Sequence, residues 1–293
     1  MVAEPAREVA LARGLIDETG TRHRRALLRP LDGWQEWSLA ATSGRMEPAA
    51  IHALLASCVA RLGGYTEVGV AQTAALSRGD RNRLALELRG LLFGEQLLLT
   101  QRCPNPDCAQ LADLDLSVPE LLGEVGPAEP EWFVAETPAG PALVRPPTGF
   151  DEEVSLAHAG SRAEKGDVLW SRIVGSLGDR RTLSPEEWQI LDPGIRQSIA
   201  LALAEGEVAP DLSFVSRCPS CDAWIELDID PFDIVAREVR LGAGRLLAEV
   251  HCLAFHYGWT EDAILALPRS RRWRYLELLR DQIEGRPLTE GWS

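Results

Sequence analysis

The sequence predicts an α+β fold: two duplicated helix-plus-β-hairpin units that share a zinc-ribbon-like four-cysteine site, followed by a C-terminal helical extension. Two observations predict it. The segment that starts at Leu76 matches the segment that starts at Leu191 without a gap, 115 residues later, and each ends in a pair of cysteines. Helical spacing precedes both pairs, and alternating polar and apolar residues flank them. A repeat of this length is one structural unit used twice.

The repeat depends on identities spread along the matched segments. At the offset of 115 residues, the following recur as the same residue type: Leu76, Gly79, Arg81, Ala85, Leu86, Leu88, Leu97, Arg102, Cys103 and Pro104. The same offset carries Leu54, Val59, Leu62 and Gly63 onto Leu169, Val174, Leu177 and Gly178. One residue further out of register, ALLRPLDGW from Ala26 matches ALVRPPTGF from Ala142.

Composition and these matches divide the chain into five parts. Residues 1–18, rich in Ala, Glu and Arg, are predicted to be an N-terminal arm, either a short helix or a loose segment. The first repeat unit covers 19–122 and the second 135–235, each with its own cysteine knuckle, and a linker with Pro and Gly covers 123–134. Residues 236–293 form the helical extension, which has no counterpart in the first unit.

In the first unit, RHRRALLRPL predicts an extended segment, and the spacing of Met46–Leu62 predicts a helix. A second helix is predicted over Asp80–Leu92, with Ser77 before it and Gly94 after it. EQLLLTQR and LADLDLSV predict the two strands that flank the first cysteine pair.

In the second unit, WFVAETPAGPALVRPP predicts a hairpin. The helices that follow are predicted at Val168–Leu177, Pro185–Leu191 with Ser184 as N-cap, and Ile195–Ala204. DLSFVSR and WIELDID then flank the second cysteine pair. Beyond them, one long helix is predicted over Asp233–Tyr257, a short one from Thr260, and a last one over Arg269–Glu284.

Bulk properties limit the classes of function. A chain of 293 residues with 45% hydrophobic and 25% charged residues can bury a core unaided. Its formal charge of −14 opposes non-specific binding to nucleic acid or to anionic membranes. We find no signal-peptide pattern and no stretch near the ~18 apolar residues of a membrane span, so a cytoplasmic location is expected. Four of the six cysteines form two tight pairs, which suggests a reducing compartment and metal ligation.

The two pairs, Cys103 with Cys108 and Cys218 with Cys221, fall in turns between predicted strands. Two such turns complete a tetrahedral shell around one structural Zn²⁺ per chain and leave no open coordination position. The duplication makes the long separation of the pairs natural, because two copies packed about a pseudo-twofold axis bring their turns together. A redox or disulfide role and the absence of metal are the alternatives. Cys58 and Cys252 are expected to be core residues.

Partner contacts are predicted at two places. The first is the run Arg271, Arg272, Trp273, Arg274 and Tyr275, where arginines and aromatics alternate. The simpler interpretation is an arginine face that is exposed to solvent and binds nothing. The more specific interpretation is a helix that docks on an acidic partner. The second is Trp34 with Trp37 in a predicted turn, because aromatics there often anchor interfaces.

Catalytic residues are not predicted. The sequence has no G-x-S-x-G, P-loop or H-E-x-x-H motif, and its acidic pairs fall on predicted helix starts, where the helix dipole favours them. We therefore expect a protein that is not an enzyme and takes no small-molecule substrate.

LSRGDRNRLALELRGLLFGEQLLLTQRCPNPDC resembles the GDR…LR…FG…CP…C signature of the baseplate-hub protein family of contractile-tailed phages, which also occurs in phage-derived contractile injection systems. ALVRPPTGFDEE resembles its second signature. RLLAEVHCLAFHYGW and EDAILALPRSRRWRYLELL are similar to its C-terminal helical part, so the resemblance covers roughly residues 20–284. This chain departs from the family in its widened first knuckle and in GEVAPD at 206–211, which replaces the FGEQ motif.

The resemblance implies a non-enzymatic structural component or assembly factor of the baseplate of a phage-tail-like contractile injection particle. Its partners would be other baseplate or tail proteins, met in the cytoplasm during or after assembly. The alternative is a zinc-ribbon regulatory protein that binds nucleic acid or a transcription complex, which the acidic total does not favour.

Overall fold

The computed structural model describes residues 6–126 and 130–286. It combines helices with four small antiparallel sheets within these residues. The first half contains β1 (Arg7–Ile16), β2 (Arg22–Leu28), α1 (Gly33–Ala40), α2 (Pro48–Cys58), β3 (Val59–Leu62), α3 (Val70–Ala74), α4 (Arg78–Phe93), β4 (Gln96–Arg102), β5 (Leu111–Ser117) and α5 (Val118–Leu122).

The second half contains the same kinds of elements in the same order. They are β6 (Phe133–Ala135), β7 (Ala142–Val144), α6 (Gly149–Ala157), α7 (Arg162–Ile173), β8 (Val174–Leu177), α8 (Pro185–Gln189), α9 (Pro193–Gly206), β9 (Ser213–Arg217), β10 (Trp224–Asp228) and α10 (Pro231–Leu241). Three helices follow: α11 (Ala243–Tyr257), α12 (Glu261–Leu265) and α13 (Arg269–Ile283). β3 and β8, and likewise α3 and α8, begin and end 115 residues apart.

Each half builds one three-stranded sheet and one separate hairpin. The sheets have the orders β1-β2-β3 and β6-β7-β8, and the hairpins are β4–β5 and β9–β10. The sheets share a register: Ala26 lies opposite Leu62 in one, and Ala142 lies opposite Leu177 in the other. In both sheets, the register between the second and third strands shifts where the third strand follows directly on a helix.

The main core lies in the first half, and the second half completes it. Leucines of α2 and α4 pack on the β1-β2-β3 sheet, and Phe232, Val235 and Val239 of α10 close the cluster. The Arg89 guanidinium of α4 also binds both carboxylate oxygens of Glu238 on α10, at 3.0 and 2.9 Å. Because α10 follows the second hairpin, this packing fixes that hairpin against the first half.

The prediction of a helix or loose arm at the N-terminus is wrong for the residues described. Residues 7–16 form β1, which pairs with β2 and belongs to the first unit. The carboxylate of Asp80 fixes the bulge in this strand, accepting the backbone N–H groups of Ala12 at 2.7 Å and Gly14 at 2.6 Å. Alanine and arginine favour helix locally, but pairing and this buried carboxylate decide the outcome.

Two predicted helices extend too far at their ends. The helix predicted over Met46–Leu62 ends at Cys58, and the one near Val168–Leu177 ends at Ile173. In both, the last four residues form the third strand of a sheet. The long helix predicted over Asp233–Tyr257 is two helices separated at Gly242, so the predicted boundary at residue 236 falls inside α10.

Other predicted elements agree with the structure to within a few residues. They include β2, α4 with its Ser77 cap and Gly94 end, α8 with its Ser184 cap, α9, α12, α13, the β6–β7 hairpin and both cysteine hairpins. Residues 1–5 of the predicted arm, 127–129 of the predicted linker and 287–293 of the predicted helical extension lie outside the described residues.

The C-terminal helices dock on the first half through a buried arginine. Pro268, just before α13, forms a β-bridge with Asp32, the N-cap of α1. Arg272, four residues later, is fully buried and binds Glu36 of α1 at 3.0 Å and Glu249 of α11 at 2.8 Å.

The first half docks on the second half in the same manner. Ser77, just before α4, forms a β-bridge with Thr148, the N-cap of α6. Arg81, four residues later, is buried and binds Glu152 of α6 at 2.7 Å, while His52 of α2 lies 3.2 Å from it. α12 begins and ends 191 residues after α3. The C-terminal helices and the first half thus make docking contacts of the same kind.

Candidate metal centre

Two hairpins carry the cysteines at their tips. Strand pairing in the first hairpin ends with Arg102 opposite Leu111, and in the second with Arg217 opposite Trp224. The N–H group of Cys103 donates to the Gln110 carbonyl, and that of Cys218 donates to the Ala223 carbonyl, each at 2.8 Å. In each hairpin, the last backbone hydrogen bond before the turn thus fixes the first cysteine of the pair.

Both turns reverse the chain in the same way. The residue after the second cysteine adopts a positive φ in each: 46° at Ala109 and 59° at Asp222. The carbonyl of that residue accepts a bond from the arginine before the first cysteine, at 2.8 Å from Arg102 and 2.9 Å from Arg217. A non-glycine residue with positive φ is uncommon, so its presence at the same place in both turns points to one shared construction.

The four sulfurs converge. The Sγ atoms of Cys103 and Cys221 are 3.6 Å apart, those of Cys108 and Cys218 are 3.9 Å apart, and all four lie within 4.8 Å of one another. Four thiolates ~2.3 Å from a central ion in a tetrahedron are about 3.8 Å from each other. Each short distance joins one hairpin to the other, so the two hairpins contribute to a single site.

Burial and local dipoles distinguish the four thiols. Cys103 and Cys218 are buried, Cys108 is half-buried and Cys221 is exposed. Burial raises the pKa of Cys103 to about 12. The N–H group of Ser220 is the main cause that lowers the pKa of Cys218 to about 7. A cation at the centre of such a cluster favours the thiolate form of every ligand.

The arrangement can hold a metal ion with four sulfur ligands and no open position. It is the one group of three or more His, Cys, Asp or Glu side chains with such spacing among residues 6–126 and 130–286. Ala112 and Ile225 pack beneath the sulfurs and join them to the apolar face between the hairpins. A closed shell on an apolar base suits a structural role, because substrate has no coordination position to enter.

The other two cysteines are not part of this site. Cys58 is fully buried in the main core, and burial raises its pKa to about 12, so its thiol is a packing group. Cys252 is only half-buried on α11 and belongs to no core cluster, so the prediction of a core position is wrong for this residue.

The predicted partner contacts on α13 divide into surface and core residues. Arg271, Trp273 and Arg274 are exposed, and Tyr275 is half-buried. Arg272 is buried in the ion pairs with Glu36 and Glu249, so the prediction that it contacts a partner is corrected: it docks α13 on α1. Successive residues of a helix point about 100° apart, so one arginine of a run can face inward while its neighbours are exposed. The sequence pattern did not show which carboxylates would meet Arg272.

Trp273 lies at a groove on this surface. Its ring borders two neighbouring cavities of about 440 and 370 Å³ beside α11 and the end of α4. Its Nε1–H donates to Glu249 at 2.6 Å, and the guanidinium groups of Arg245 and Arg269 lie 5.7 and 5.6 Å from the ring. The prediction of a turn at Trp34 and Trp37 is wrong: the capping box of Asp32 and Gln35 begins α1, and both tryptophans lie on this helix. They expose 44% and 42% of their surface, as an anchor residue would in the free protein.

Sequence reasoning missed the carboxylates that receive the buried arginines. Glu36 and Glu152 each lie three residues after the glycine in the matched segments LDGWQE and PTGFDE, so the repeat itself held the signal. Glu249 is on a helix that the repeat did not cover, and its role could not be read from the sequence.

Two further findings concern the chain as a whole. No helix within the described ranges has the length and apolar character needed to cross a membrane. In comparisons with protein-family models, with curated proteins and with solved structures, nothing matches this chain.

Proposed function

We propose that this chain is a non-enzymatic structural component or assembly factor of the baseplate of a phage-tail-like contractile injection particle, acting in the cytoplasm and stabilised by structural zinc. The motif residues behind the resemblance carry the proposal, since these residues hold the two halves together. Motif residues that each have a specific structural role support the resemblance more strongly than the same residue types scattered along a chain would.

The GDR motif illustrates this point. Asp80 binds the bulge of β1, and Arg81 binds Glu152 in the other half. The N–H group of Gly79 donates to Glu207 at 3.2 Å, again across the halves. Arg89, from the LR part of the signature, binds Glu238 and also donates to the Gly94 carbonyl at the FG turn.

We further propose that the two halves are structural copies and that the ion between their hairpins is Zn²⁺. The identical order of ten elements, the 115-residue spacing and the matched cysteine turns support the first statement. Four sulfur ligands at tetrahedral separations support the second, because thiolate sets of this geometry bind zinc or iron–sulfur iron.

Partners are proposed to be other baseplate or tail proteins. The exposed aromatics Trp34, Trp37 and Trp273 with Arg271 and Arg274 have the composition of interface anchors. Nucleic acid is not favoured as a partner, given the formal charge of −14.

Purification of intact particles and of their assembly intermediates, with mass spectrometry of the components, tests the proposal. We expect this chain with sheath, tube and spike proteins in finished baseplates if it is a component, or only in intermediates if it is an assembly factor. Its absence from both, together with co-purification with a transcription complex, would favour the regulatory alternative.

A further inference from the structure

The chain contains the same eight-residue helix junction three times. A junction here runs from the last residue of a short helix to the fourth residue of the next long helix: Ala74–Arg81, Gln189–Arg196 and Leu265–Arg272. Each includes the N-cap of the long helix and ends in an arginine. We call them the first, second and third junctions in chain order.

The first and third junctions each hold the start of another helix. The first holds α6, whose N-cap Thr148 bridges Ser77, and the third holds α1, whose N-cap Asp32 bridges Pro268. In each case the arginine at the end of the junction binds a glutamate at the fourth position of the captured helix.

A glycine at the first position of the captured helix permits the close approach. A Cβ on Gly149 would lie 2.9 Å from the carbonyl oxygen of Ala74, the first residue of the first junction. A Cβ on Gly33 would lie 2.8 Å from Cα of Leu265, the first residue of the third junction. Both captured helices therefore begin with an N-cap, a glycine, an aromatic residue and, at the fourth position, a glutamate.

The second junction holds no helix within the described chain. Its first residue, Gln189, and its N-cap, Asp192, are exposed, whereas their counterparts Ala74, Ser77, Leu265 and Pro268 are buried. Arg196 is half-buried and makes no side-chain hydrogen bond or ion pair with any residue that the structure describes. The second unit keeps the arginine of the first junction as Arg196, but no carboxylate among the described residues pairs with it.

We propose that the second junction is a docking site for the start of a helix of a partner protein, with the pattern Asp/Thr, Gly, aromatic, any residue, Glu. The glutamate pairs with Arg196, the glycine lies over Gln189, and the N-cap residue bridges Asp192. This inference uses the repeated arrangement and does not depend on the baseplate role.

A second copy of this chain is not the proposed occupant, because both of its helices with this pattern are already held. α1 is in the third junction and α6 is in the first. Charge also selects the partner: a guanidinium without a carboxylate beside it favours one, and the same pairing is made twice within the chain. The exposed Gln189 and Asp192 keep the open site polar, as expected of a contact that forms between separate molecules.

The test uses the full-length chain and helix-stabilised, fluorescein-labelled peptides of its own captured segments, PLDGWQEWSLAA (residues 30–41) and PPTGFDEEVSLA (residues 146–157). Fluorescence anisotropy should show saturable binding. Arg196→Gln in the chain, or Glu36→Gln in the first peptide, should weaken it at least tenfold. The two changes together should weaken it no more than either alone, since they remove the same pair. Arg162→Gln, on an exposed arginine of α7, is the matched control and should leave the binding unchanged.

The melting temperature supplies an independent readout. Arg196→Gln should not change it, because the pair is absent in the free chain, whereas Arg81→Gln should lower it. Absence of saturable binding by both peptides would overturn the proposal, as would equal binding to the Arg196→Gln chain. Concentration-dependent dimerisation that Arg196→Gln abolishes would instead identify a second copy as the occupant and overturn the assignment to a partner.

Discussion

Single buried arginines hold separate parts of this chain together, and their carboxylate partners determine what each contributes. Arg272 is the most buried of them and carries two carboxylates, Glu36 and Glu249. Burial raises the pKa of Glu36 even though Arg272 lowers it. The equivalent Glu152 has a lowered pKa, because the charges of Arg81 and Arg78 more than offset its burial. The Arg272–Glu36 and Arg81–Glu152 pairs thus have similar geometry, but the glutamate pKa is raised in the first and lowered in the second.

Removal of Arg272 should therefore be costly. Arg272→Met leaves two buried carboxylates without a cation, and we expect the free energy of unfolding to fall by about 3–5 kcal/mol. Adding Glu36→Gln and Glu249→Gln should recover part of the loss, since neutral amides are cheaper to bury. Chemical denaturation measures both effects. Arg271→Ala, on the exposed neighbour, is the control and should change the value by less than about 0.5 kcal/mol.

A second prediction concerns acid. Asp151 is 1% exposed and binds Arg145 at 2.6 Å and Arg172 at 3.0 Å. Burial raises the pKa of Asp151, but the Arg145 bond and the Thr148 N–H outweigh it, and the net pKa lies below that of a free aspartate. A lowered folded pKa means that the ionised form stabilises the fold above the unfolded pKa, near 3.9, and that this contribution disappears as pH falls further.

Asp151→Asn should thus lower the free energy of unfolding at pH 7 by about 2 kcal/mol and flatten its decline below about pH 5. Urea denaturation over a pH series measures both. Glu226→Gln, on an exposed carboxylate of β10, should leave the pH profile unchanged. A profile for Asp151→Asn as steep as that of the natural chain would show that other carboxylates control the acid response.

Each docking contact between elements needs a helix start that comes very close to its junction. Gly149 shows the requirement, because a Cβ there would also lie 2.0 Å from His52 Nε2. His52 is fully buried, its Nδ1 lies 2.7 Å from Glu153, and burial lowers its pKa, in agreement with a neutral ring. The ring, the glycine and Arg81 form one packed contact between the halves.

Gly149→Ala should destabilise the protein by about 1–3 kcal/mol, the typical cost of overpacking. Gly166→Ala is the matched control: Gly166 lies inside α7 with open space around its Cβ position, so alanine should stabilise by up to about 1 kcal/mol. Thermal denaturation of the two variants should therefore move in opposite directions. Destabilisation of both by the same amount would remove the close-approach argument.

Elements with strong local signals could be predicted from the sequence, and those decided by distant contacts could not. α4 has an N-cap serine, a leucine face and a terminal glycine, and the cysteine hairpins alternate cleanly. β1 has a helix-favouring composition but is held by β2 and Asp80, and β3 continues a helical spacing that pairing overrides. The cysteine cluster could be predicted because the repeat placed both pairs at equivalent positions. The burial of Arg272 could not be predicted, because its partner Glu36 lies 236 residues away in the sequence.

At the scale of the molecule, four sulfurs join the two hairpins and buried ion pairs join the helices of separate parts of the chain. Elemental analysis of the purified chain should find one zinc per chain. Apparent binding energies of roughly 10–16 kcal/mol are typical of structural zinc, so Cys221→Ser should lower the zinc content and greatly destabilise the hairpins. Cys252→Ser, outside the site, is the control and should retain the metal. A chain that is fully stable without metal would contradict this prediction.

The last prediction concerns the surface that would contact other baseplate proteins under the proposed function. Deletion of Ser270–Ser293 is a poor test, because it would remove Arg272 and leave Glu36 and Glu249 buried without a cation. Arg271→Glu with Arg274→Glu reverses two exposed charges beside Trp273 and preserves the buried pairs. The double variant should keep its zinc, with a free energy of unfolding changed by less than about 1 kcal/mol, yet fail to enter baseplate assemblies.

Arg61→Glu with Arg162→Glu changes the total charge equally at exposed sites elsewhere and should assemble normally. Incorporation of the natural chain should also weaken as salt rises, because exposed charges are screened. Normal incorporation of the α13 variant would move the interface to Trp34 and Trp37 on α1, where Trp37→Ser would be the next change to measure. The third junction holds α1, so a partner bound at Trp34 and Trp37 would contact the start of α1 and α13 together.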